Sequence, residues 1–339
     1  MISEKLTALA LFSGGLDSIL ACRVIMAQGI AVKAVRFVTP FFGYELLAQE
    51  AQYRREIYER YGITVELRDL SEAYLKMLGK PVYGYGKNFN PCLDCKILIM
   101  ATARTLMVEL GASFLISGEV VGQRPMSQRL DTLRVVERDS ACDGLLLRPL
   151  CAAKLPETLP EREGWVDRAR LPLITGRGRS PQMALAAGMG ITDYPTPGGG
   201  CMLTDVNRAG RIRRYYAEHA EVRAADIHLL IIGRQFILPG GAWLVLGRDE
   251  RENLALAPLR QPGDRFMQME DWPGPAAILR HLTTPADLEL AAGLIRHFSR
   301  KGEGRQQGWV AELGEQGEVV GKIPLGREVS EEEYLPWQR

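Results

Sequence analysis

The sequence has few features of a membrane protein or of a histidine-based metal site. No apolar run is long enough to span a bilayer, and the N-terminus lacks the basic region, apolar segment and cleavage site of a secretory leader. We therefore expect a cytoplasmic protein without membrane contacts. The chain has only 4 histidines, and none pairs with another at ligand spacing. Its formal net charge of +1 gives no overall attraction to nucleic acid.

The chain's 339 residues suffice for two domains with cores of their own. Over the first two thirds, strand-like and helix-like segments alternate. The strand-like segments are 30–38, 63–70 and 112–117, and the helix-like segments are 45–61 and 95–110. This alternation predicts an α/β fold with a doubly wound parallel sheet, whose ligands bind at the carboxyl ends of its strands.

The pattern changes beyond Asp226 to short alternating apolar runs. Runs 229–238 and 243–248 flank a Pro-Gly-Gly turn, which predicts a hairpin in a smaller, β-containing domain. We therefore expect a nucleotide-binding domain over 1–205, a basic helical connector over 206–225 and a separate domain over 226–339. The glycine-rich stretch 195–200 is predicted to be a loop.

A glycine-containing hexamer follows the first strand-like run, with the sequence Ser13-Gly14-Gly15-Leu16-Asp17-Ser18. The glycines allow backbone N–H groups to approach an anion, and the next helix adds the positive end of its dipole. No lysine follows the glycines, so this is not a Walker A loop. The sequence thus predicts a nucleotide-phosphate site, and the alternative is a strand-to-helix turn that binds nothing.

Six cysteines occur in a chain without an export signal, so a disulfide scaffold is not expected. Cys92 and Cys95 follow Pro91 at a predicted helix start, where thiols ionise more easily. Cys201 ends the glycine-rich loop, where a flexible backbone allows its side chain to reach another site. The remaining cysteines show no ligand spacing and are interpreted as packing residues: Cys22, Cys142 and Cys151.

The hexamer resembles the PP-loop of the ATP pyrophosphatases, which cleave ATP between its α and β phosphates to adenylate a substrate. This resemblance implies that Ser13, Gly14, Gly15 and Ser18 bind phosphate and that Asp17 binds Mg²⁺ and contributes to catalysis. Four further motifs follow it in order: an Asn-Pro-x-x-x-Cys segment, Ser117-Gly118-Glu119, Leu147-Arg148-Pro149-Leu150 and the glycine-rich cysteine loop. Together they resemble the tRNA 2-thiouridine synthetases over residues 8–205. That family's two catalytic cysteines correspond to Cys95 and Cys201.

The sequence departs from this family at two positions. Glu119 stands where histidine is common, and Cys92 adds a third thiol. Three thiols, Cys92, Cys95 and Cys201, resemble the ligand set of PP-loop thiolases that hold a [4Fe–4S] cluster and leave one iron open for sulfur. A structural zinc site and a persulfide and disulfide pair formed by Cys95 and Cys201 are the alternatives.

Two features suggest contact with RNA. The C-terminal motifs 238–241 and 246–253 resemble the NFACT-R domain, which is regarded as an RNA-binding module, although a purely structural β domain is the alternative. Six arginines flank the cysteine loop, and they are predicted to contact the RNA backbone or, alternatively, to form a solvated surface. These are Arg177, Arg179, Arg208, Arg211, Arg213 and Arg214.

These patterns lead to the hypothesis of an ATP-dependent RNA sulfurtransferase that adenylates a uridine carbonyl in tRNA and replaces its oxygen with sulfur. ATP, Mg²⁺ and a [4Fe–4S] cluster are the expected cofactors. Inorganic sulfide or a persulfide carrier protein is the expected donor. The alternatives are a PP-loop enzyme acting on a small molecule and an RNA-binding adaptor with a structural metal. The sequence does not predict the oligomeric state.

Overall fold

The computed structural model describes residues 6–196, 200–299, 307–325 and 328–339. The chain divides into two compact units, Met1–Gly210 and Arg211–Arg339. Residues 197–199 of the predicted glycine-rich loop lie outside the described residues. Within the described ranges, no helix combines the length and the apolar character that a membrane crossing requires.

The first unit is built on a five-stranded parallel sheet with the order β3-β2-β1-β4-β5. Its strands are β1 (Thr7–Leu11), β2 (Ala31–Val38), β3 (Thr64–Asp69), β4 (Phe114–Ser117) and β5 (Leu146–Leu147). The predicted doubly wound α/β class is confirmed. Since β1 leads to β2 on one side and pairs with β4 on the other, the carboxyl ends of β1 and β4 lie at the point where the strand order reverses, where such sheets bind ligands.

Helices lie between the strands of the first unit and after its last strand. They are α1 (Leu16–Met26), α2 (Glu50–Tyr61), α3 (Ser71–Gly79), α4 (Cys92–Glu109), α5 (Leu130–Asp139), α6 (Leu159–Arg162) and α7 (Ser180–Gly188). The helix predicted over 45–61 is shorter than expected, because 3₁₀ turns occupy Tyr44–Gln49. The helix α8 (Val206–Glu218) contains the boundary between the two units.

The second unit contains a six-stranded antiparallel sheet with the order β11-β10-β8-β9-β7-β6. Its strands are β6 (Arg234–Ile237), β7 (Trp243–Leu246), β8 (Arg265–Met269), β9 (Ala277–Arg280), β10 (Trp309–Leu313) and β11 (Val319–Pro324). Its remaining helices are α9 (Ala224–Leu230), α10 (Glu250–Leu256), α11 (Pro285–His297) and α12 (Glu331–Tyr334). The expected β-containing C-terminal unit is therefore present.

The strand predicted over 229–238 is wrong in its first half. Leu229 and Leu230 end α9, and strand β6 begins only at Arg234. Gly233 separates the two elements with a φ of +66°, and a Cβ there would lie 2.4 Å from the Leu246 carbonyl oxygen. A short apolar run does not distinguish a buried helix turn from a strand, so the sequence pattern predicted one strand where the structure has the end of α9 and strand β6.

Candidate active site

The predicted phosphate loop connects β1 to α1 at the carboxyl edge of the parallel sheet. Gly14 has a φ of +78°, a backbone conformation that residues with a side chain rarely adopt. The backbone N–H of Gly15 donates to Ser13 Oγ at 3.3 Å, and the Ser18 hydroxyl donates to the Gly15 carbonyl at 2.8 Å. No side chain caps the N-terminus of α1, so this end of the helix remains suited to an anion.

Asp17 lies in the first turn of α1, and its two carboxylate oxygens have different surroundings. Its Oδ2 accepts a hydrogen bond from Gln123 Nε2 at 2.8 Å. Its Oδ1 is buried and has no hydrogen-bond partner in the described structure. A buried carboxylate oxygen without a donor is costly, and a hard cation would satisfy it. The site therefore fits the predicted Mg²⁺ ligand by its chemistry.

Gly118 follows β4 and contacts the phosphate loop through its backbone. A Cβ at this position would lie 2.5 Å from the Asp17 carbonyl carbon and 2.6 Å from the Ser18 nitrogen. Such distances leave no room for any side chain. Glycine at this position therefore allows the end of β4 to lie directly against the turn that carries Asp17.

A cavity of about 310 Å³ opens beside the loop, large enough for a small-molecule ligand. Ser13, Asp17 and Ser18 line it together with three cationic side chains: Arg36, Lys96 and Arg124. Arg36 is held by Tyr53, whose hydroxyl accepts a hydrogen bond at 2.7 Å. These cations come from β2, α4 and the segment after β4, so no local motif could have predicted their convergence.

A buried ion network forms one wall of this cavity. Lys96 Nζ lies 2.9 Å from Glu119 Oε1, and Arg148 Nε donates to Glu119 Oε2 at 3.1 Å. Arg148, only 1% exposed, also pairs with Glu137. Burial alone would raise the pKa of Glu119, but Lys96 and Arg148 outweigh it and lower the pKa to about 2. Glu119 therefore stays ionised and positions Lys96 beside the cavity.

The three candidate cysteines lie close enough to influence one another electrostatically. Burial raises the pKa of Cys95 to about 12, and Cys92 and Cys201 add to the shift. Lys96 and a hydrogen bond from Tyr74 oppose it. Burial likewise raises the pKa of Cys201, and Cys92 adds to this effect. The structure thus brings Cys92, Cys95 and Cys201 into one neighbourhood.

A short clamp joins the two cysteine-bearing segments. Asn88 Nδ2 donates to the Thr204 carbonyl at 2.7 Å, and the Phe89 N–H donates to the Leu203 carbonyl at 3.3 Å. Asn88 adopts a φ of +59°, which asparagine tolerates better than most residues. This segment precedes Cys92 by a few residues, so the clamp holds the Cys201 turn near the start of α4.

The donor set fits a [4Fe–4S] cluster in chemical type. Among the described residues, no group of three or more His, Cys, Asp or Glu side chains is arranged to hold a metal ion. The cluster, the zinc site and the persulfide pair all stay predictions. The other cysteines, Cys22, Cys142 and Cys151, are fully buried.

The six candidate arginines have different environments. Arg177, Arg208, Arg213 and Arg214 are exposed, and Arg179 is half-buried. Arg211 donates hydrogen bonds to the main-chain oxygens of Gly233 at 3.2 Å and Arg339 at 3.3 Å, so it also has a structural role in the second unit. The predicted contacts of all six with RNA stay a prediction.

The motif at residues 246–253 stabilises its own unit. Asp249 caps α10 by accepting from the Glu252 N–H at 2.9 Å, and Arg248 pairs with Glu252. Asn253 Oδ1 accepts from the Ala276 N–H at 3.0 Å, and a Cβ on Gly247 would overlap that same oxygen. These side chains therefore connect α10 to the sheet.

Comparison with known families agrees with this two-part organisation. Residues 3–157 match the family model described as "Thiamine biosynthesis protein (ThiI)". Residues 233–335 match the one described as "NFACT protein RNA binding domain".

Individual relatives match about half of this chain. A "Probable tRNA sulfurtransferase" of Thermococcus kodakarensis is 28% identical over 166 residues, covering 48% of this chain and 42% of that protein. A "tRNA sulfurtransferase" of Psychromonas ingrahamii is 26% identical over 177 residues, covering 48% of this chain and 35% of that protein. The chain thus spans less than half the length of these curated relatives.

A solved 4-thiouridine synthetase–RNA complex with bound ATP has a TM-score of 0.35 and 24% identity, covering 42% of this chain and 36% of that one. The matches to families and curated relatives confirm both resemblances drawn from the sequence. Residues 3–157 are thus similar to the ThiI family and residues 233–335 to the NFACT RNA-binding domain.

Proposed function

We propose that the protein is an ATP-dependent tRNA sulfurtransferase whose nucleotide cavity adjoins its sulfur-carrying cysteines. One observation carries this proposal: Lys96 lines the nucleotide cavity and directly follows Cys95 in the first turns of α4. Lys96 and Arg124, which both line the cavity, also oppose the rise that burial causes in the pKa of Cys95 and of Cys201, respectively. An activated substrate in the cavity would therefore be near a sulfur nucleophile.

In the first step, a uracil carbonyl oxygen attacks the α-phosphorus of ATP, and pyrophosphate leaves with the electron pair of the α–β bridge. The phosphate loop with Ser13 and Ser18 would hold the leaving group, and the free oxygen of Asp17 would hold its Mg²⁺. Lys96 and Arg124 would neutralise the charge that develops on the phosphates. The product is an O-adenylated base with AMP as a good leaving group.

In the second step, sulfur attacks the activated carbon and AMP departs. If a persulfide on one cysteine supplies the sulfur, the thiolate of the other attacks the sulfur–sulfur bond. This leaves the thiocarbonyl and a Cys95–Cys201 disulfide, which an external thiol reductant must reopen. The clamp at Asn88 would keep both cysteines within reach.

The same cysteines fit the second route, in which Cys92, Cys95 and Cys201 would hold a [4Fe–4S] cluster. Such a cluster would supply an open iron for an exogenous sulfur atom. In this route inorganic sulfide is the donor, whereas a persulfide carrier protein suits the first. We propose the cluster route, because Cys92 has no role in a two-cysteine mechanism.

The proposed substrate is tRNA in the cytoplasm. The named relatives are tRNA sulfurtransferases, and the C-terminal domain matches an RNA-binding family. The target uridine must leave its stack to reach the cavity, which tRNA loops permit. The exposed arginines of α8 would add backbone contacts.

A second candidate is sulfur transfer to a small molecule, which the family description as a thiamine biosynthesis protein favours. Both candidates use the same loop and cysteines. They differ in the sulfur acceptor, so the identity of the thiolated product separates them.

The test combines two measurements on anaerobically purified protein. Asp17→Ala should abolish ATP-dependent pyrophosphate release, and Gln52→Ala, on the exposed side of α2, serves as a control. Incorporation of labelled sulfide into tRNA should be lost in Cys95→Ala and Cys201→Ala and retained in Cys22→Ala. Pyrophosphate release without any sulfur in tRNA, but with sulfur in a small molecule, would overturn the proposed substrate.

Iron analysis separates the two routes. Cys92→Ala should lose iron and activity together in the cluster route. Full activity of Cys92→Ala without iron would establish the persulfide route instead.

A further inference from the structure

The second unit contains a cavity of about 150 Å³ that the proposed chemistry does not use. The end of α8, strands β6 and β7, and the turn at His281 line it. All of these residues belong to the unit Arg211–Arg339, so the cavity is complete within one domain.

Stacked aromatic rings form one wall of this cavity. The rings of Tyr215 and His219 lie 3.9 Å apart with an interplanar angle of 11°, and Trp243 lies 5.4 Å from Tyr215. Arg280 sits over the Trp243 ring at 5.5 Å and pairs with Asp226 at 2.9 Å, so buried polar groups fix the wall from behind. Because Tyr215 is buried beneath His219, the outer face of the His219 ring is the one left for a further planar ring.

Cationic side chains surround this aromatic wall. Arg211, Arg214 and Arg339 line the cavity, and Glu218 is the one acidic side chain among the described residues that line it. His281, also at the rim, is held at a φ of +59°. A non-glycine residue in this conformation is uncommon, and such residues cluster at ligand-binding sites.

We infer that this cavity binds one unpaired nucleotide of an RNA strand, with the base stacked on the His219 ring that Tyr215 supports and the phosphate near Arg214. Stacking on aromatic rings together with arginine contacts to phosphate is the usual chemistry of single-strand binding. An acidic peptide would use the arginines and not the rings, and it is an outcome of the test. The inference rests on the proposed function only in taking RNA as the partner.

The experiment measures binding of a labelled single-stranded oligouridylate to the full-length protein at several salt concentrations. His219→Ala removes one ring of the stack and should weaken binding roughly tenfold. Arg214→Glu should weaken binding and reduce the salt slope by about one. Arg251→Glu makes the same charge change on an exposed residue of α10 and serves as the control.

Photocrosslinking of a 5-iodouridine oligonucleotide adds a positional readout, and the crosslinked peptide should contain Tyr215, His219 or Trp243. Unchanged affinity in His219→Ala, or equal losses in Arg214→Glu and Arg251→Glu, would overturn the inference. Crosslinking that maps elsewhere would do the same, as would competition by an acidic peptide but not by RNA.

Asp17→Ala distinguishes this inference from the proposed function. Because the cavity lies outside the phosphate loop, this variant should bind the oligonucleotide as the parent does. If no sulfur reaches tRNA but the crosslink persists, the proposed function fails alone. If tRNA is thiolated but His219→Ala binds normally, the cavity inference fails alone.

Discussion

Gly118→Ala should damage the phosphate loop although residue 118 is outside the loop's sequence. The added Cβ would lie 2.5–2.6 Å from backbone atoms of Asp17 and Ser18, and backbone cannot rotate away as a side chain can. Overpacking of this kind typically costs about 1–3 kcal/mol. At about 2–4 °C per kcal/mol for a unit of this size, the melting temperature should fall by several degrees.

The added Cβ would also push the backbone at Asp17 out of place. The rate of ATP-dependent pyrophosphate release should therefore fall by more than the loss of stability alone explains. Gly188→Ala is the matched control, because no atom lies within 4 Å of its added Cβ. Thermal unfolding and a pyrophosphate assay at a temperature where both variants are folded measure the two effects. Normal pyrophosphate release by a Gly118→Ala protein of unchanged melting temperature would refute the argument from close approach.

Three further predictions concern the buried ion network, the clamp at Asn88 and the hydrogen bonds of Arg211. Folding lowers the pKa of Glu119 from 4.5 to about 2, so its ion pairs stabilise the folded protein above pH 4.5. This contribution, a few kcal/mol to the free energy of unfolding, is lost as the pH falls towards 2. Urea unfolding at several pH values should show this acid dependence in the parent and not in Glu119→Gln. Asn88→Gly keeps the positive φ but removes the bond to Thr204, so sulfur transfer should fall while pyrophosphate release persists. Arg211→Glu should lower the melting temperature more than Arg208→Glu, which makes the same charge change at an exposed position of the same helix. Calorimetry would measure both shifts, and equal shifts would contradict a structural role for Arg211.

The sequence predicted the features that depend on neighbouring residues. Strand β1, the hexamer and helix α1 form a contiguous unit, and their residue types alone indicate an anion site after a buried strand. The error over 229–238 arose because the turn at Gly233 is set by its contact with Leu246, which no local window includes.

The cationic half of the nucleotide site was not predicted. Lys96 follows a cysteine and Arg148 lies in a motif, but neither position indicates that both contact Glu119. Arg124 carries no local signal at all. Such convergence is decided by the order of strands in the sheet, so it could be recognised only in three dimensions.

The clamp from Asn88 to Thr204 can form only late in the synthesis of the chain. The two partners are 116 residues apart, so at ordinary translation rates the ribosome makes the first several seconds before the second. The parallel strands β1 to β5 are all complete by then. The nascent chain can therefore order its phosphate loop before Cys201 is made, and Cys95 meets this second thiol only after all five strands of the parallel sheet have been synthesised.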